Sequence, residues 1–220
     1  MKKYKILNLY ACLGGNRYKW DEVADIEVTA VEWDEELARL YQDRFPNDIV
    51  IVTDAHQYLL DHYKEFDFIW SSPPCPSHSR ARYWNASNYD TNTDAIYPDM
   101  KLYQEILFLE HYFHGKYVVE NVIPYYEPLI AAKKRGRHLY WCNFNLPTDL
   151  KDRRIRISAI KNELQSLCKF HDINLDGYNG SQNKVKIARN LVDYEAGKTI
   201  LETALNVVNN SNDTQQKMEL

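Results

Sequence analysis

The chain has 220 residues, 45% hydrophobic and 26% charged, which is typical of a soluble globular protein with one domain and at most a small added lobe. Its formal net charge of −4 argues against a protein that coats nucleic acid non-specifically, so any basic surface must be local. No segment approaches the roughly 20 apolar residues of a membrane span, and the four cysteines have neither zinc-ligand spacing nor a disulfide pattern, so we expect a cytoplasmic protein without a metal.

Strand-like and helix-like segments alternate along the first part of the chain. Short apolar runs predict five strands, at residues 5–11, 28–32, 49–52, 66–70 and 116–120. Apolar side chains at helical spacing predict helices between them, at residues 34–44, 55–63 and 98–114. The alternation predicts an α/β fold with an open, mostly parallel sheet and helices on both faces, in which ligands bind at the carboxyl ends of the strands.

The pattern changes after residue 142. Residues 143–186 are rich in turn-forming residues and lack a regular period, which predicts a small irregular lobe. Residues 187–208 include a further helical pattern, and we assign them with residues 1–142 to one main domain. Residues 209–220 are rich in Asn and Gln and predict a disordered tail.

Candidate ligand-binding residues follow the first three strands. Gly14 and Gly15 make a tight turn at which the backbone can approach a ligand. Glu32 ends the second strand and can bind the two hydroxyls of a ribose, with Trp33 placed to lie against an adenine. Asp54 follows the third strand and can accept a hydrogen bond from the adenine amino group. An acid at such a place is more often a helix cap, but the order of these residues favours a nucleoside-containing cofactor.

Two reactive groups follow the fourth and fifth strands. In Ser71-Ser72-Pro73-Pro74-Cys75-Pro76 the prolines restrict the backbone and hold a thiol, which is a strong nucleophile once ionised. For the other three cysteines we prefer the alternative of a structural role in the core. Glu120 ends the fifth strand, where it can exchange a proton with a bound ring or simply hydrogen-bond a loop. A thiol and an acid beside a nucleoside site favour attack on an electron-poor ring.

With these motifs in this order, the chain resembles the DNA (cytosine-C5) methyltransferase family, and within it the compact phage-type enzymes. Asn8-Leu9-Tyr10-Ala11-Cys12-Leu13-Gly14-Gly15 stands where the family has Asp-Leu-Phe-x-Gly-x-Gly-Gly, and Glu32-Trp33 and Asp54 stand at its ribose-binding and adenine-binding acids. The other matching segments are Ser72-Pro73-Pro74-Cys75 (Pro-Cys), Glu120-Asn121-Val122 (Glu-Asn-Val), Arg135-Gly136-Arg137 (Arg-x-Arg) and Arg189-Asn190-Leu191-Val192 (Asn-x-Val). The Pro-Cys and Glu-Asn-Val motifs in this order and spacing are highly specific.

The resemblance implies a Rossmann-like fold that uses S-adenosyl-L-methionine and releases S-adenosyl-L-homocysteine. It implies that the thiolate of Cys75 adds to C6 of a cytosine while Glu120 holds N3, and that Arg137, with Arg135, hydrogen-bonds the base carbonyl. The cofactor-binding residues that it implies are Tyr10, Ala11, Leu13, Gly14, Gly15, Glu32, Trp33, Asp54, Ala55, Pro73, Asn190 and Val192.

The resemblance also implies double-stranded DNA as the partner and a cytosine turned out of the helix, because C5 of a paired base is closed within the stack. The expected DNA contacts are Arg80, Arg82 and Tyr83, with Trp84 and Tyr89 as further candidates, and Arg153, Arg154 and Arg156 in the lobe. We expect a monomer in a bacterial or phage-infected cell. The short lobe predicts a recognition sequence of about two to four base pairs.

Three features depart from the family pattern. Cys12 stands at the first glycine of the loop, Pro76 stands where many members have glutamine, and the recognition region is short. Two alternatives therefore stay open: a tRNA cytosine-C5 methyltransferase, and a non-catalytic partner that binds cofactor or DNA. The presence of Cys75, Glu120 and Arg137 together argues against the second. An amino-group methyltransferase is disfavoured because a cysteine stands at the aromatic position of its Asp/Asn-Pro-Pro-aromatic segment.

Overall fold

The structure, a computed structural model, describes residues 2–80, 95–153, 155 and 162–207. Its strands are β1 (Tyr4–Leu9), β2 (Ile26–Glu32), β3 (Ile49–Val52), β4 (Phe68–Ser71), β5 (Lys116–Val122), β6 (Lys133–Arg135) and β7 (His138–Cys142). The α-helices in these ranges are α1 (Glu35–Arg44), α2 (Ala55–His62), α3 (Lys101–Tyr112), α4 (Glu163–His171), α5 (Lys184–Arg189) and α6 (Tyr194–Leu205). Short 3-10 helices lie at Trp20–Glu22 and Tyr63–Glu65.

The seven strands form one sheet in the order β3-β2-β1-β4-β5-β7-β6. The first five strands in the chain pair in parallel, which confirms the predicted α/β architecture. The chain builds outward from β1 to β3 and then returns to the other side of β1 for β4 and β5. The strand order therefore reverses between β1 and β4, and a crevice for ligands forms at the carboxyl ends of strands beside such a reversal.

The hairpin of β6 and β7 was not predicted from the sequence. β7 pairs antiparallel with β5, and β6 pairs antiparallel with β7. β6 is an edge strand whose three residues, Lys133-Lys134-Arg135, are all charged. Because these residues do not alternate between apolar and polar, their sequence does not predict a strand. Gly136 turns the chain between the strands with a φ of 53°, in the left-handed region that favours glycine.

The sheet is buried on both faces. Successive residues of a strand point to opposite faces, so Ile6 packs into one apolar cluster and Leu7 into another. The first cluster includes Trp20, Trp70 and Ile200, the last of them from α6. The second cluster includes apolar side chains of α2 and α3. These two layers fix the central strands and therefore the positions of the loops at their carboxyl ends.

Part of the segment after β7 also packs on the sheet domain. Leu146 and Leu150 belong to the first core cluster, next to Trp70. Helix α4, which lies within the stretch predicted as an irregular lobe, is amphipathic and packs Leu167 against Leu13 of the loop after β1. The predicted tail at residues 209–220 lies outside the described residues. None of the helices in the described ranges has the length and apolar content that a membrane span requires.

Candidate active site

The loop after β1 has an unusual backbone. Tyr10, Cys12 and Gly14 all have positive φ, at 57°, 48° and 64°. A Cβ on Gly14 would lie 2.5 Å from the ring of Phe45, and a Cβ on Gly15 would lie 2.6 Å from the carbonyl oxygen of Val192. Both glycines are therefore required by close packing. The second contact also brings Gly15 and Val192, two of the predicted cofactor-binding residues, together.

The carboxylate of Glu32 is held beside this loop. It is 4% exposed, and it accepts hydrogen bonds from the N–H of Cys12 (2.8 Å) and of Asp34 (3.0 Å). Burial raises the pKa of Glu32. Trp33 follows it with 66% of its surface exposed, so its indole is free to lie against a planar ligand.

A cleft of about 220 Å³ lies next to Trp33. It brings together four predicted cofactor-binding residues, and its lining is Tyr10, Val31, Trp33, Asp54, Ala55, Pro74, Asp99 and Lys101. Asp54 also caps α2 by accepting the N–H of Gln57 (2.9 Å), a bond that lowers the pKa of Asp54. The helix cap and the predicted adenine-binding acid are thus the same residue.

Sequence reasoning missed Asp99 and Lys101 in this cleft. Lys101 Nζ lies 3.5 Å from Asp54 Oδ2, and Lys101 begins α3. A lysine at the start of a predicted helix gives no signal that it faces a site. Leu13 and Asn190 lie elsewhere, in the region where the loop after β1 meets the end of α5.

The turn that carries Cys75 follows β4 directly. The carbonyl of Cys75 accepts hydrogen bonds from the N–H of His78 and of Ser79, each at 3.0 Å, so the chain turns sharply after the thiol. The carbonyl of Pro73 accepts a hydrogen bond from Asn121 Nδ2 (2.9 Å). Because Asn121 is the neighbour of Glu120 on β5, this bond fixes the turn relative to the acid.

The Cys75 thiol is half-buried among charged groups. Burial, followed by the negative charge of Glu120, raises the pKa of Cys75, while the positive charges of Lys186 and Arg137 act to lower it. The predicted nucleophile, acid and arginine are therefore brought into one electrostatic cluster. Lys186, on α5, also belongs to this cluster, and none of the sequence motifs includes it.

Glu120 and Arg137 are both largely enclosed. Glu120 is 6% exposed, and His138 Nε2 lies 3.4 Å from its Oε1. Burial lowers the pKa of His138, so this histidine is neutral. Burial also lowers the pKa of Arg137, whose Nη2 donates to the carbonyl of Arg189 at 3.3 Å. The last bond connects the Arg-x-Arg hairpin to the end of α5.

Arg135 differs from Arg137 in its contacts. Its guanidinium donates to the backbone carbonyls of Pro147, Leu146 (3.0 Å) and Lys134 (2.8 Å). These bonds hold the segment after β7 against the hairpin. Arg135 therefore has a structural role in addition to any contact with a substrate.

A cavity of about 270 Å³ adjoins Arg137. It lies between the β6–β7 hairpin, α4 and the start of α6, and its lining includes Tyr140, Phe170 and His171. His171 is 2% exposed, and its Nδ1 has no hydrogen-bond partner among the residues that the structure describes. Burial, with the positive charge of Arg153 and other arginines, lowers the pKa of His171 to about 3. The histidine is therefore uncharged at neutral pH.

The predicted DNA contacts fall into two groups. Arg80 is exposed, and its Nε donates to the carbonyl of Pro124 (2.8 Å). Arg153 forms an ion pair with Asp193 (2.5 Å) and lies over the ring of Tyr194. The other candidates, Arg82, Tyr83, Trp84, Tyr89, Arg154 and Arg156, lie outside the described residues. Within the described ranges there is no group of three or more His, Cys, Asp or Glu side chains placed to hold a metal ion.

Comparisons with known proteins bear on this site. Residues 4–107 match the sequence model of the C-5 cytosine-specific DNA methylase family. No curated protein matched the chain. Among solved structures, a DNMT2 variant from Spodoptera frugiperda is 25% identical, with a TM-score of 0.38. That match covers 54% of this chain but only 35% of the DNMT2 chain.

A second structure, the methyltransferase EhMeth from Entamoeba histolytica, is 9% identical, with 94% of this chain and 99% of that chain covered and a TM-score of 0.51. This likeness shows the fold, a Rossmann-like methyltransferase fold. The matched range, residues 4–107, contains the glycine loop, Glu32, Asp54 and the Pro-Cys turn. In the fold these segments lie at the carboxyl ends of β1 to β4. Residues 4–107, a little under half of the chain, are therefore similar to the C-5 cytosine-specific DNA methylase family.

Proposed function

We propose that the protein transfers a methyl group from S-adenosylmethionine to C5 of a cytosine in duplex DNA, through a transient bond between Cys75 Sγ and C6. The observation that carries this proposal is the cluster of Cys75, Glu120 and Arg137 at the carboxyl edge of the sheet. A chain that only bound DNA would need neither a nucleophile nor an acid at this place.

The methyl donor is S-adenosylmethionine, which supplies an electrophilic methyl group when bound. The residues beside the cleft fit its adenosine part. Glu32 is oriented by two backbone N–H groups, so its carboxylate is preorganised to accept hydrogen bonds from ribose hydroxyls. Asp54 offers an acceptor for the adenine amino group, and the exposed indole of Trp33 offers a stacking surface.

The reaction begins with addition to the base. Arg137 hydrogen-bonds the carbonyl oxygen of the cytosine, and Glu120 donates a proton to N3 as Cys75 Sγ bonds to C6. The electron pair of the C5–C6 bond is then available at C5 for a bond to the methyl group, which would leave the sulfonium sulfur of the donor with its bonding electrons on S-adenosylhomocysteine. Loss of the C5 proton to solvent water returns the electrons to the ring, breaks the bond from sulfur to C6 and restores the thiolate, while Glu120 takes back the proton from N3.

The electrostatics of the cluster support a joint role for Glu120 and Cys75. Two negative charges in a half-buried site oppose each other, so an ionised Glu120 disfavours the thiolate. When the carboxyl group carries the proton destined for N3, that opposition is removed. The same protonation therefore prepares the acid and favours the nucleophile, and Arg137 and Lys186 stabilise the remaining negative charge.

Incubation with labelled S-adenosylmethionine and either duplex DNA or tRNA tests this proposal. We expect labelled 5-methyl-2′-deoxycytidine from DNA and no labelled nucleoside from tRNA, and we expect Cys75→Ser to abolish the product. Label in tRNA alone would assign the enzyme to RNA, and label on the exocyclic amine would contradict C5 chemistry. Mapping the DNA product checks the expected target of about two to four base pairs, which a six-base target would overturn.

A further inference from the structure

Glu105 is a buried carboxylate that none of the family motifs above includes. It lies on α3, is 1% exposed, and accepts three hydrogen bonds. Tyr10 Oη donates to its Oε1 at 2.5 Å, His56 Nδ1 lies 2.9 Å from the same oxygen, and Ser71 Oγ donates to its Oε2 at 2.5 Å. Because a carboxylate is only an acceptor, His56 Nδ1 is the donor in its bond.

The three donors come from three parts of the site. Tyr10 begins the glycine loop and lines the cleft beside Trp33. His56 lies in the first turn of α2, just after Asp54. Ser71 ends β4, immediately before the Pro-Cys turn. One buried side chain thus connects the glycine loop, the adenine-binding acid and the turn that carries the nucleophile.

The sequence of the loop gives an independent reason for this connection. Tyr10 carries a hydroxyl that is largely withdrawn from water, and a buried hydroxyl needs a hydrogen-bond partner. Tyr10 also has a φ of 57°, which is strained for a large side chain. The hydrogen bond from Tyr10 Oη to Glu105 fixes the position of the ring.

We propose that Glu105 is a positioning residue that holds the cofactor cleft and the nucleophile turn in one arrangement through Tyr10, His56 and Ser71. The proposal rests on the proposed cofactor site but not on the reaction. Glu105 does not line the cleft itself. Of its three partners, Tyr10 lines the cleft, His56 lies in the helix that Asp54 caps, and Ser71 ends the strand before the Pro-Cys turn. Loss of its charge is expected to weaken cofactor binding and to change the reactivity of Cys75 at the same time.

Binding of S-adenosylhomocysteine by calorimetry tests the first effect without any turnover. We expect Glu105→Gln to weaken binding about tenfold or more, because charged hydrogen bonds contribute more than neutral ones. We expect Tyr10→Phe to weaken it less, and to add little when combined with Glu105→Gln, since both remove the same interaction. The matched control is Glu110→Gln, at an exposed position on the same helix, which should leave binding unchanged.

The alkylation rate of Cys75 in the free protein tests the second effect. Glu105→Gln and Ser71→Ala should both change this rate, whereas Glu110→Gln should not. If Glu105→Gln does not fold, the same two measurements are made on Tyr10→Phe and Ser71→Ala, each of which removes a single hydroxyl that donates to Glu105. If the wild type binds S-adenosylhomocysteine and these variants bind it with the same affinity and are alkylated at the same rate, the positioning role is overturned. Absence of binding by the wild type would instead contradict the proposed cofactor site.

Discussion

At the scale of single residues, the chemistry depends on the balance of charge around Cys75. Its thiolate is disfavoured by burial and by Glu120, and favoured by Lys186 and Arg137. A group whose pKa is raised holds its proton to higher pH, so the free protein is mainly a thiol near neutrality. In the proposed mechanism the thiolate of Cys75 is therefore favoured by any change that reduces the negative charge beside it.

This balance predicts opposite effects of one substitution on two measurements. Glu120→Gln removes the opposing charge, so the pKa of Cys75 falls and alkylation by iodoacetamide at neutral pH becomes several-fold faster. Methyl transfer by the same variant falls by about a hundredfold or more, because the acid is lost. Lys186→Met should slow alkylation. Rates measured across pH by mass spectrometry check these signs, and slower alkylation in Glu120→Gln would contradict the assigned electrostatics.

At the scale of elements, the loop after β1 is shaped by close packing. Cys12 stands at the first glycine position of the family loop. In the structure Cys12 has a left-handed φ of 48°, and its side chain packs with the apolar cluster around Leu13 and Leu167. The residue that fills the family's glycine position is therefore accommodated within the protein core.

The close packing of this loop predicts that a methyl group added at Gly14 destabilises the protein. Gly14→Ala places a Cβ against Phe45 and Tyr41 at a positive φ, and should cost roughly 2–4 kcal/mol in the free energy of unfolding. Gly177→Ala is the matched control, because a Cβ there meets nothing within 4 Å. Denaturant unfolding of both variants checks this difference. Equal stability of Gly14→Ala and wild type would show that the loop is not packed as described.

At the scale of the whole molecule, the sequence predicts those strands and helices that have a regular spacing of apolar residues. The five parallel strands and the helices between them follow from apolar periodicity, and Asp34 and Asp54 cap α1 and α2 as their positions indicate. The β6–β7 hairpin could not be predicted in this way, because β6 takes its conformation from pairing with β7. A polar edge strand has no period of its own to detect.

In the candidate site, too, residues in local motifs could be predicted from the sequence, whereas contacts between distant segments could not. Cys75 and Glu120 stand in local motifs, so the sequence alone is enough to predict them as site residues. The burial of Glu105 could not be predicted from the sequence, because a glutamate within a helical pattern ordinarily faces solvent. Arg153 stands in a basic run that predicts DNA contacts, yet its partner Asp193 is distant in the chain. Interactions between distant segments thus account for what the sequence did not reveal.

The most direct measurement of the central claim is the covalent adduct. Fluorine at C5 cannot leave as a proton does, so duplex DNA containing 5-fluorocytosine should trap the enzyme after methyl transfer. With S-adenosylmethionine we predict a protein–DNA complex that survives denaturation, maps to Cys75 and is absent in Cys75→Ser. A wild-type enzyme that methylates ordinary DNA but forms no such complex, or an adduct that persists in Cys75→Ser, would contradict the assignment of Cys75 as the nucleophile.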